Sequence, residues 1–311
     1  MTVKRRYTTP MPVFIVDKPL NLTSHDVVAR ARRLLKTKAV GHAGTLDPLA
    51  TGVLVLLSDD ATKLSPFLTA SEKRYLAWVS FGATTPTLDA EGPISETGDT
   101  SGLTAVHIGG VLPPFLTLTE QLPPQYSAIK KGGVKGYEAA RKGEDLRLEP
   151  RPAGYTDVKL LGFASARDDL KVALERPVTL PPILGAFPTA LFDVTVQAGT
   201  YIRAFARDLG AALGVPAHLS GLVRTHSGNF GLEEAVRLDD LPTAAGLGLA
   251  DALPYPLLEL DVAQIARIRQ GQRLPSESLA DGRVGLIDAS RTLIAVAEVQ
   301  SGRMKLLRVW A

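Results

Sequence analysis

Hydrophobic positions along this chain follow two periods, one typical of helices and the other of strands. A helix is predicted to begin at Thr23 or Ser24, since either residue suits an N-cap. Its apolar stripe recurs every three or four residues and consists of Val27, Ala31, Leu34 and Leu35. A second helical pattern covers residues 202–213 and stops at Gly214, and a short helix is predicted over residues 61–68.

Short apolar runs between these helices predict strands. They lie at residues 13–16, 53–57, 75–81 and 192–197, and the third run suggests mixed burial. The pattern changes after residue 253, where Asp261 is placed to cap a short helix that Gly271 would end. Three more strand-like runs follow, at residues 284–287, 293–299 and 304–309. We therefore expect two domains, residues 1–250 and a small β-barrel over residues 251–311.

The residues with the clearest chemical character lie just before the second apolar run. They read Gly41-His42-Ala43-Gly44-Thr45-Leu46-Asp47-Pro48-Leu49-Ala50-Thr51-Gly52. Pro48 restricts its own backbone and that of Asp47, so the carboxylate is presented on a stiffened turn. The stretch lacks the Gly-Lys-Ser/Thr ending of a phosphate-binding loop, and its glycines precede a strand instead of the helix of a dinucleotide-binding fold. From the residues alone, a functional loop and an ordinary Asp-Pro turn both stay open.

Composition narrows the classes of protein. The chain has 311 residues, 45% of them hydrophobic, and no cysteine, which excludes disulfides, thiolate nucleophiles and cysteine zinc sites. No apolar run approaches the ~20 residues of a membrane span, so we expect a cytoplasmic protein without membrane contact. The net charge is only +3, but basic residues cluster at residues 4–6, 30–38, 130–142 and 267–273. Each cluster suits either a solvated surface or RNA phosphates.

The loop around Asp47 resembles the catalytic motif of the TruB family of tRNA pseudouridine synthases. Further stretches resemble that family in the same order, namely Asp17-Lys18-Pro19, Asp60-Ala61-Thr62-Lys63, Lys73-Arg74-Tyr75, Gln125-Tyr126-Ser127-Ala128-Ile129-Lys130 and Gly199-Thr200-Tyr201-Ile202-Arg203. The resemblance implies an α+β pseudouridine synthase fold, with a large, mostly antiparallel mixed sheet flanked by helices. It also implies that the C-terminal barrel is an RNA-binding domain of the PUA type.

The activity that this resemblance implies is isomerisation of uridine 55 in the T loop of tRNA. The N1–C1′ bond breaks and C5 joins C1′, so no redox cofactor or ATP is expected. No metal site is expected either, because no second histidine lies at ligand spacing from His42 on a shared element. The expected partner is the T-arm of tRNA, which a basic, aromatic "thumb" at about residues 119–143 would contact. No protein partner is implied, and the family is usually monomeric.

Asp47 is the catalytic carboxylate that the resemblance implies. Attack on the sugar, addition to the base and abstraction of the 2′ proton through a glycal all stay open as its route. Arg203 is expected to form an ion pair that orients Asp47. Tyr75 is expected to stack on the uracil and handle the proton from C5, and Tyr201 to line the pocket.

Four further roles follow from the same resemblance. Leu222 would make an apolar contact with the target base, and His42 would fill the space that the flipped base leaves. Lys63 would contact a phosphate or the backbone near the pocket, whereas Lys18 would support the motif structurally.

Some features have no assigned role, and two other functions stay open. Residues 164–190 form a proline-rich insertion without a predicted function, and Pro86 stands where the family usually has an Asp, although Asp89 is kept. An RNA chaperone that opens the T-arm, with catalysis secondary, is the alternative function. A nucleoside hydrolase using the same carboxylate is a third, and it would release free base.

Overall fold

The computed structural model describes residues 12–127, 148–174, 176–276 and 278–310, and the backbone of residues 130–131 and 134–135. No helix in these ranges has the length and apolar character needed to cross a membrane. Most of the predicted thumb, from residue 128 onward, lies outside the ranges described in full, so its role stays a prediction.

Strands dominate the described chain, and both strands and helices are numbered here in chain order. The strands are β1 Val13–Lys18, β2 Val40–Ala43, β3 Ala50–Ser58, β4 Lys73–Phe81, β5 Ala83–Thr84, β6 Glu96–Thr97, β7 Glu120–Gln121, β8 Lys130–Lys131, β9 Val134–Lys135, β10 Arg151–Pro152, β11 Tyr155–Ala164, β12 Thr189–Val196, β13 Ala217–Ser227, β14 Phe230–Gly231, β15 Val236–Arg237, β16 Leu257–Glu259, β17 Gly282–Ile287, β18 Leu293–Gln300 and β19 Arg303–Val309. The α-helices are α1 Ser24–Leu34, α2 Ser65–Thr69, α3 Ala105–Gly110, α4 Ile202–Leu213 and α5 Val262–Arg269. Short 3₁₀ turns cover Asp59–Leu64, Pro113–Thr117, Arg167–Asp169, Leu232–Glu234 and Leu238–Thr243.

One large mixed sheet forms the centre of the molecule. Its strands run in the order β11-β12-β4-β13-β3-β1-β15, with β2 paired to β3 and β14 to β13. Only the β1–β15 and β13–β3 pairs are parallel, and the other pairs in this sheet are antiparallel. The prediction of an α+β fold around a mixed, mostly antiparallel sheet is therefore confirmed.

Helix boundaries follow the local signals closely. Thr23 caps α1 with a reciprocal bond to Asp26, and Gly214 ends α4 in the left-handed conformation at φ +71°. The single helix predicted over residues 61–68 is instead a 3₁₀ turn followed by α2. Pro66 explains the break, because it has no N–H to donate and suits only the first turn of a new helix.

The proline-rich insertion covers one face of the sheet. On β4, Tyr75, Ala77 and Val79 belong to the core beneath α4, whereas Leu76 and Trp78 lie in a cluster on the other face. That second cluster is closed by apolar side chains from the insertion, namely Leu170, Val172, Leu174, Val178 and Leu180. The mixed burial expected for residues 75–81 is therefore wrong, because all seven are buried and residues about 100 positions later cover the second face.

The C-terminal segment builds a small sheet of its own, in the order β16-β17-β18-β19, beside α5. The three predicted strands are present, and the sequence pattern missed β16. No pairing between β16 and β19 closes a barrel within the residues described. This sheet packs on the main body, where Ile287, Val296 and Trp310 join a core with Leu64 and Phe67.

Candidate active site

Asp47 lies in the tight connection between β2 and β3. Gly44 leaves β2 at φ +90°, and Gly52 has φ +96° inside β3, both backbone conformations that glycine adopts without strain. A Cβ atom at Gly52 would lie 2.3 Å from the Arg224 carbonyl oxygen, so the two strands approach too closely for any side chain. The Asp47 side chain is about one-third exposed.

Polar side chains from three separate elements hold the backbone of this loop. The Ser24 hydroxyl of α1 accepts from the Leu46 N–H at 2.8 Å and donates to the Leu46 carbonyl at 3.1 Å. Lys18 Nζ, fully buried at the end of β1, lies 3.5 Å from the Pro48 carbonyl and donates to Pro19 and Leu22 carbonyls at 2.8 and 2.6 Å. These bonds place Asp47 on a preorganised backbone.

Arg224 on β13 is the third support and the most extensive. Its guanidinium donates to the carbonyls of Val53 at 2.7 Å, Gly44 at 3.0 Å and Thr45 at 3.4 Å. The side chain is 1% exposed. Arg224 thus ties the start of the Asp47 loop to β3, within the sheet that also carries Tyr75.

Arg203, in the first turn of α4, brings two carboxylates together. Its Nε lies 2.8 Å from Asp47 Oδ2 and 3.5 Å from Asp89 Oδ2, as ion pairs without an aligned hydrogen bond. The terminal nitrogens donate to the carbonyls of Thr87 at 3.0 Å and Tyr126 at 2.9 Å. The buried guanidinium is therefore fixed from both ends and holds Asp47 toward α4.

Asp89 is almost fully buried behind this pair. Its Oδ1 accepts from the Thr87 hydroxyl at 2.6 Å and from the Glu91 N–H at 3.0 Å. Burial raises the pKa of Asp89, while the Arg203 charge opposes that rise. Pro86 makes none of these bonds, so the substitution at position 86 leaves the contact between Asp89 and Arg203 in place.

Asp47 lines a cavity of about 330 Å³, a size suited to a small ligand. Its lining includes Tyr75 from β4, Tyr201 at the N-cap of α4 and Leu222 from β13, all three expected there from the sequence. The Tyr201 N–H donates to Gln121 Oε1 at 3.0 Å. Burial, and then the charge of Asp47, raise the pKa of the Tyr201 phenol.

His42 and Lys63 do not line this cavity. The half-buried His42 ring packs edge-on against His25 at 5.8 Å between centroids, and burial lowers its pKa to about 4. Lys63 is partly exposed on the turn before α2 and pairs with Asp60 at 2.7 Å. The roles predicted for His42 and Lys63 therefore stay predictions.

The sequence analysis missed two cations that do line the cavity, Lys73 and Arg224. Each is a charged residue within a largely apolar strand, and this was the available signal.

A larger cavity of about 700 Å³ lies beneath the insertion, on the other face of the sheet from Tyr75. We place the candidate site at the smaller cavity because Asp47 and Arg203 lie there. No group of three acidic or histidine side chains that suits a metal ion is found in the described part of the chain.

Comparison with known families and proteins gives a consistent result. Residues 32–202 match the N-terminal domain of the TruB family of pseudouridylate synthases. Residues 203–254 match the tRNA pseudouridylate synthase B C-terminal domain, and residues 256–309 match the C-terminal domain of pseudouridine synthase II TruB.

Whole proteins match over nearly their full length. The tRNA pseudouridine synthase B of Thermus thermophilus is 51% identical over 97% of this chain and 99% of its own. The protein of that name from Deinococcus radiodurans is 48% identical over 97% of this chain and 100% of its own. That from Streptomyces avermitilis is 41% identical over the whole of both chains.

Solved structures match in fold. A chain of an H/ACA RNP bound to a substrate RNA has a TM-score of 0.66 at 22% identity, over 97% of this chain and 85% of that chain. A chain of a Cbf5-Nop10-Gar1 complex has a TM-score of 0.67 at 23% identity, over 96% and 84%. At these identities the likeness shows the shared fold alone.

Proposed function

The chain belongs to the TruB family of pseudouridine synthases and is an isomerase that acts on tRNA, and we propose that its target is uridine 55 in the T loop, with Asp47 as catalyst. The observation that carries this proposal is the Asp47–Arg203 ion pair at 2.8 Å, whose two residues line a cavity together with two tyrosines.

The reaction rearranges one nucleotide without gain or loss of any group. The N1–C1′ bond breaks, the uracil turns, a C5–C1′ bond forms, the C5 proton leaves and N1 gains a proton. Positive charge at C1′ or a covalent bond to it needs a fixed anion nearby, and Asp47 supplies one. Attack on the sugar, addition to the base and the glycal route all use a carboxylate at this position.

Neighbouring side chains complete the proposed chemistry. Arg203 holds the Asp47 carboxylate in place, since it is itself anchored to the Thr87 and Tyr126 carbonyls. Tyr75 presents an aromatic face to stack on the uracil and a phenol to take the proton from C5. Tyr201 and Leu222 close the pocket around the base, and this excludes water from a reactive sugar.

The target uridine must leave its stack in the folded T loop to reach Asp47. We assign to His42 the role of filling the space that the base leaves, because a neutral, half-buried ring suits an apolar gap. Lys63 contacts the RNA backbone outside the cavity. The thumb at residues 119–143 and a PUA-like domain at residues 251–311 are proposed to hold the rest of the T-arm, in the cytoplasm where tRNA is found.

An unmodified tRNA transcript tests the target directly. We expect the protein to convert one uridine per transcript, mapped by chemical labelling of pseudouridine to position 55. A transcript with cytidine at position 55 serves as the matched control and should gain no label. Conversion at another position would overturn the uridine 55 target, and tight binding without any conversion would favour the RNA chaperone.

A further inference from the structure

The cavity beside Asp47 has one wall rich in positive charge. Lys73 and Arg224, together called the basic wall here, both line the cavity and are 6% and 1% exposed. A Cβ atom placed on Gly44 would lie 3.5 Å from Arg224 Nη1 and 3.7 Å from Lys73 Cε. Both cations therefore lie close to Gly44, a residue without a side chain, at the edge of the cavity that all three line.

Neither cation has a carboxylate partner within ion-pair distance among the described residues. Lys73 Nζ donates to the carbonyls of Thr69 at 2.5 Å and of Ser71, and Arg224 donates only to carbonyls of the Asp47 loop and β3. Burial, and next the charge of Arg224, lower the pKa of Lys73 to about 8. Two like charges are thus kept close together in a poorly solvated place, which is costly without an anion.

The two side chains also have N–H groups that the hydrogen bonds described above do not use. A guanidinium has five N–H groups and an ammonium has three. Arg224 uses three of its five in the bonds above, and Lys73 uses two of its three. Three N–H donors therefore remain on side chains that line the same cavity as Asp47 and Arg203. This arrangement matches an anion with several acceptor oxygens.

We infer that the basic wall binds a backbone phosphodiester next to the target uridine, and so anchors the flipped nucleotide while Asp47 acts on its sugar. The inference rests on the proposed function, since it takes the cavity to hold a nucleotide of RNA. A phosphodiester carries one negative charge to pair with Lys73 and Arg224. Its two non-bridging oxygens can accept hydrogen bonds from their remaining N–H groups. The Asp47 side of the cavity is then left to the sugar and the base.

The test pairs a change in the RNA with a change in the protein. The probe is a T-arm stem-loop in which the linkage on the 5′ or the 3′ side of the target uridine is a neutral methylphosphonate, one linkage at a time. Affinity is measured in an Asp47→Asn background to prevent turnover. We expect one of the two linkages to weaken binding about tenfold, as does Lys73→Met with unmodified RNA.

Combining the two changes decides the matter. If Lys73 contacts that phosphate, the methylphosphonate weakens RNA binding by the Lys73→Met protein less than about twofold. In the Lys73→Arg protein, which keeps a positive charge, the methylphosphonate should again weaken binding nearly tenfold. Lys171→Met is the matched control, because this exposed lysine also donates to a carbonyl, of Asp168 at 2.6 Å, on the insertion over the opposite face. It should leave the tenfold effect of the linkage unchanged.

Losses that multiply to about a hundredfold would overturn the inference and leave Lys73 a purely structural role. The measurement with unsubstituted Lys73 guards against a variant that fails to fold. If neither methylphosphonate linkage weakens RNA binding by the protein with Lys73 intact, the inference is wrong, regardless of the result with Lys73→Met. Failure of the wild type to isomerise the unmodified stem-loop would instead overturn the proposed function, and the inference with it.

Discussion

The two sides of the cavity differ in how their charges are balanced. On the acidic side, Asp47 and Asp89 share the buried Arg203, so each charge has an opposite partner within 3.5 Å. On the basic wall, Lys73 and Arg224 donate only to backbone carbonyls. On the acidic side each carboxylate therefore has an ion-pair contact in the free protein, whereas we infer that the substrate supplies the anion for the basic wall.

This difference separates preorganisation from recognition. A catalytic group gains from being fixed before the substrate arrives, because no reorganisation is then needed during the reaction. A binding group gains from an unmet charge that the ligand neutralises. The variants below break the acidic side or loosen its support, and their effects should differ in kind from those at Lys73.

Arg203→Met should have the largest effect. It leaves Asp47 unoriented and Asp89 buried without its cation, so we expect about a thousandfold loss in single-turnover rate and about 3 kcal/mol less stability. Rates with tRNA and urea unfolding measure the two losses. Arg207→Met is the control on the same helix, since Arg207 pairs with the neighbouring Asp208 at a partly exposed site. Equal effects of the two variants would contradict the special place of Arg203.

Lys18→Met should come next, because it removes a support of the loop without touching the cavity. Three carbonyls lose a donor, including that of Pro48 beside Asp47. We expect kcat to fall about a hundredfold while the affinity for tRNA changes less than about threefold. Lys159→Met, at an exposed lysine paired with Asp157, is the control. A loss confined to affinity would show that Lys18 binds RNA instead of supporting the loop.

Sequence reasoning succeeded where the signal is local. The cap at Thr23, the stop at Gly214 and the main apolar strands were all readable because each depends on neighbouring residues. The residues that share the cavity with Asp47 were named through family resemblance, since Tyr75, Arg203 and Leu222 lie far apart in the chain.

What was missed depends on distant contacts. The insertion gave no signal of its role, because its leucines and valines cover strands about 100 residues earlier or 50 later. Lys73 and Arg224 are ordinary charges until the sheet pairs β4 with β13 and brings both beside Gly44. The position of Lys63 outside the cavity was equally unreadable, since it depends on where the 3₁₀ turn Asp59–Leu64 lies in the fold.

The smallest predicted effect is a loss of folding stability caused by His42, and it appears only at acidic pH. Its folded pKa of about 4 lies below the ordinary value of 6.5, so the unfolded chain binds the extra proton first. Stability is therefore full above pH 6.5 and falls as the pH drops toward 4. Allowing for partial exposure, we expect a loss of about 2 kcal/mol.

Urea unfolding at neutral pH and near pH 4.5 measures this loss, with His42→Gln as the comparison. The variant has no imidazole to protonate, so its stability should fall less with acid than that of the wild type. The same acid loss in both proteins would show that other groups control it, and that His42 is not held neutral by burial.

The central claim is that Asp47, held by Arg203, performs the isomerisation. The most direct measurement is single-turnover tritium release from a tRNA transcript labelled at uridine C5, with wild type and Asp47→Asn side by side. We predict one equivalent released by the wild type and none by Asp47→Asn, although both bind the transcript with similar affinity. Release by Asp47→Asn at the wild-type rate would contradict the account and move the chemistry to another group.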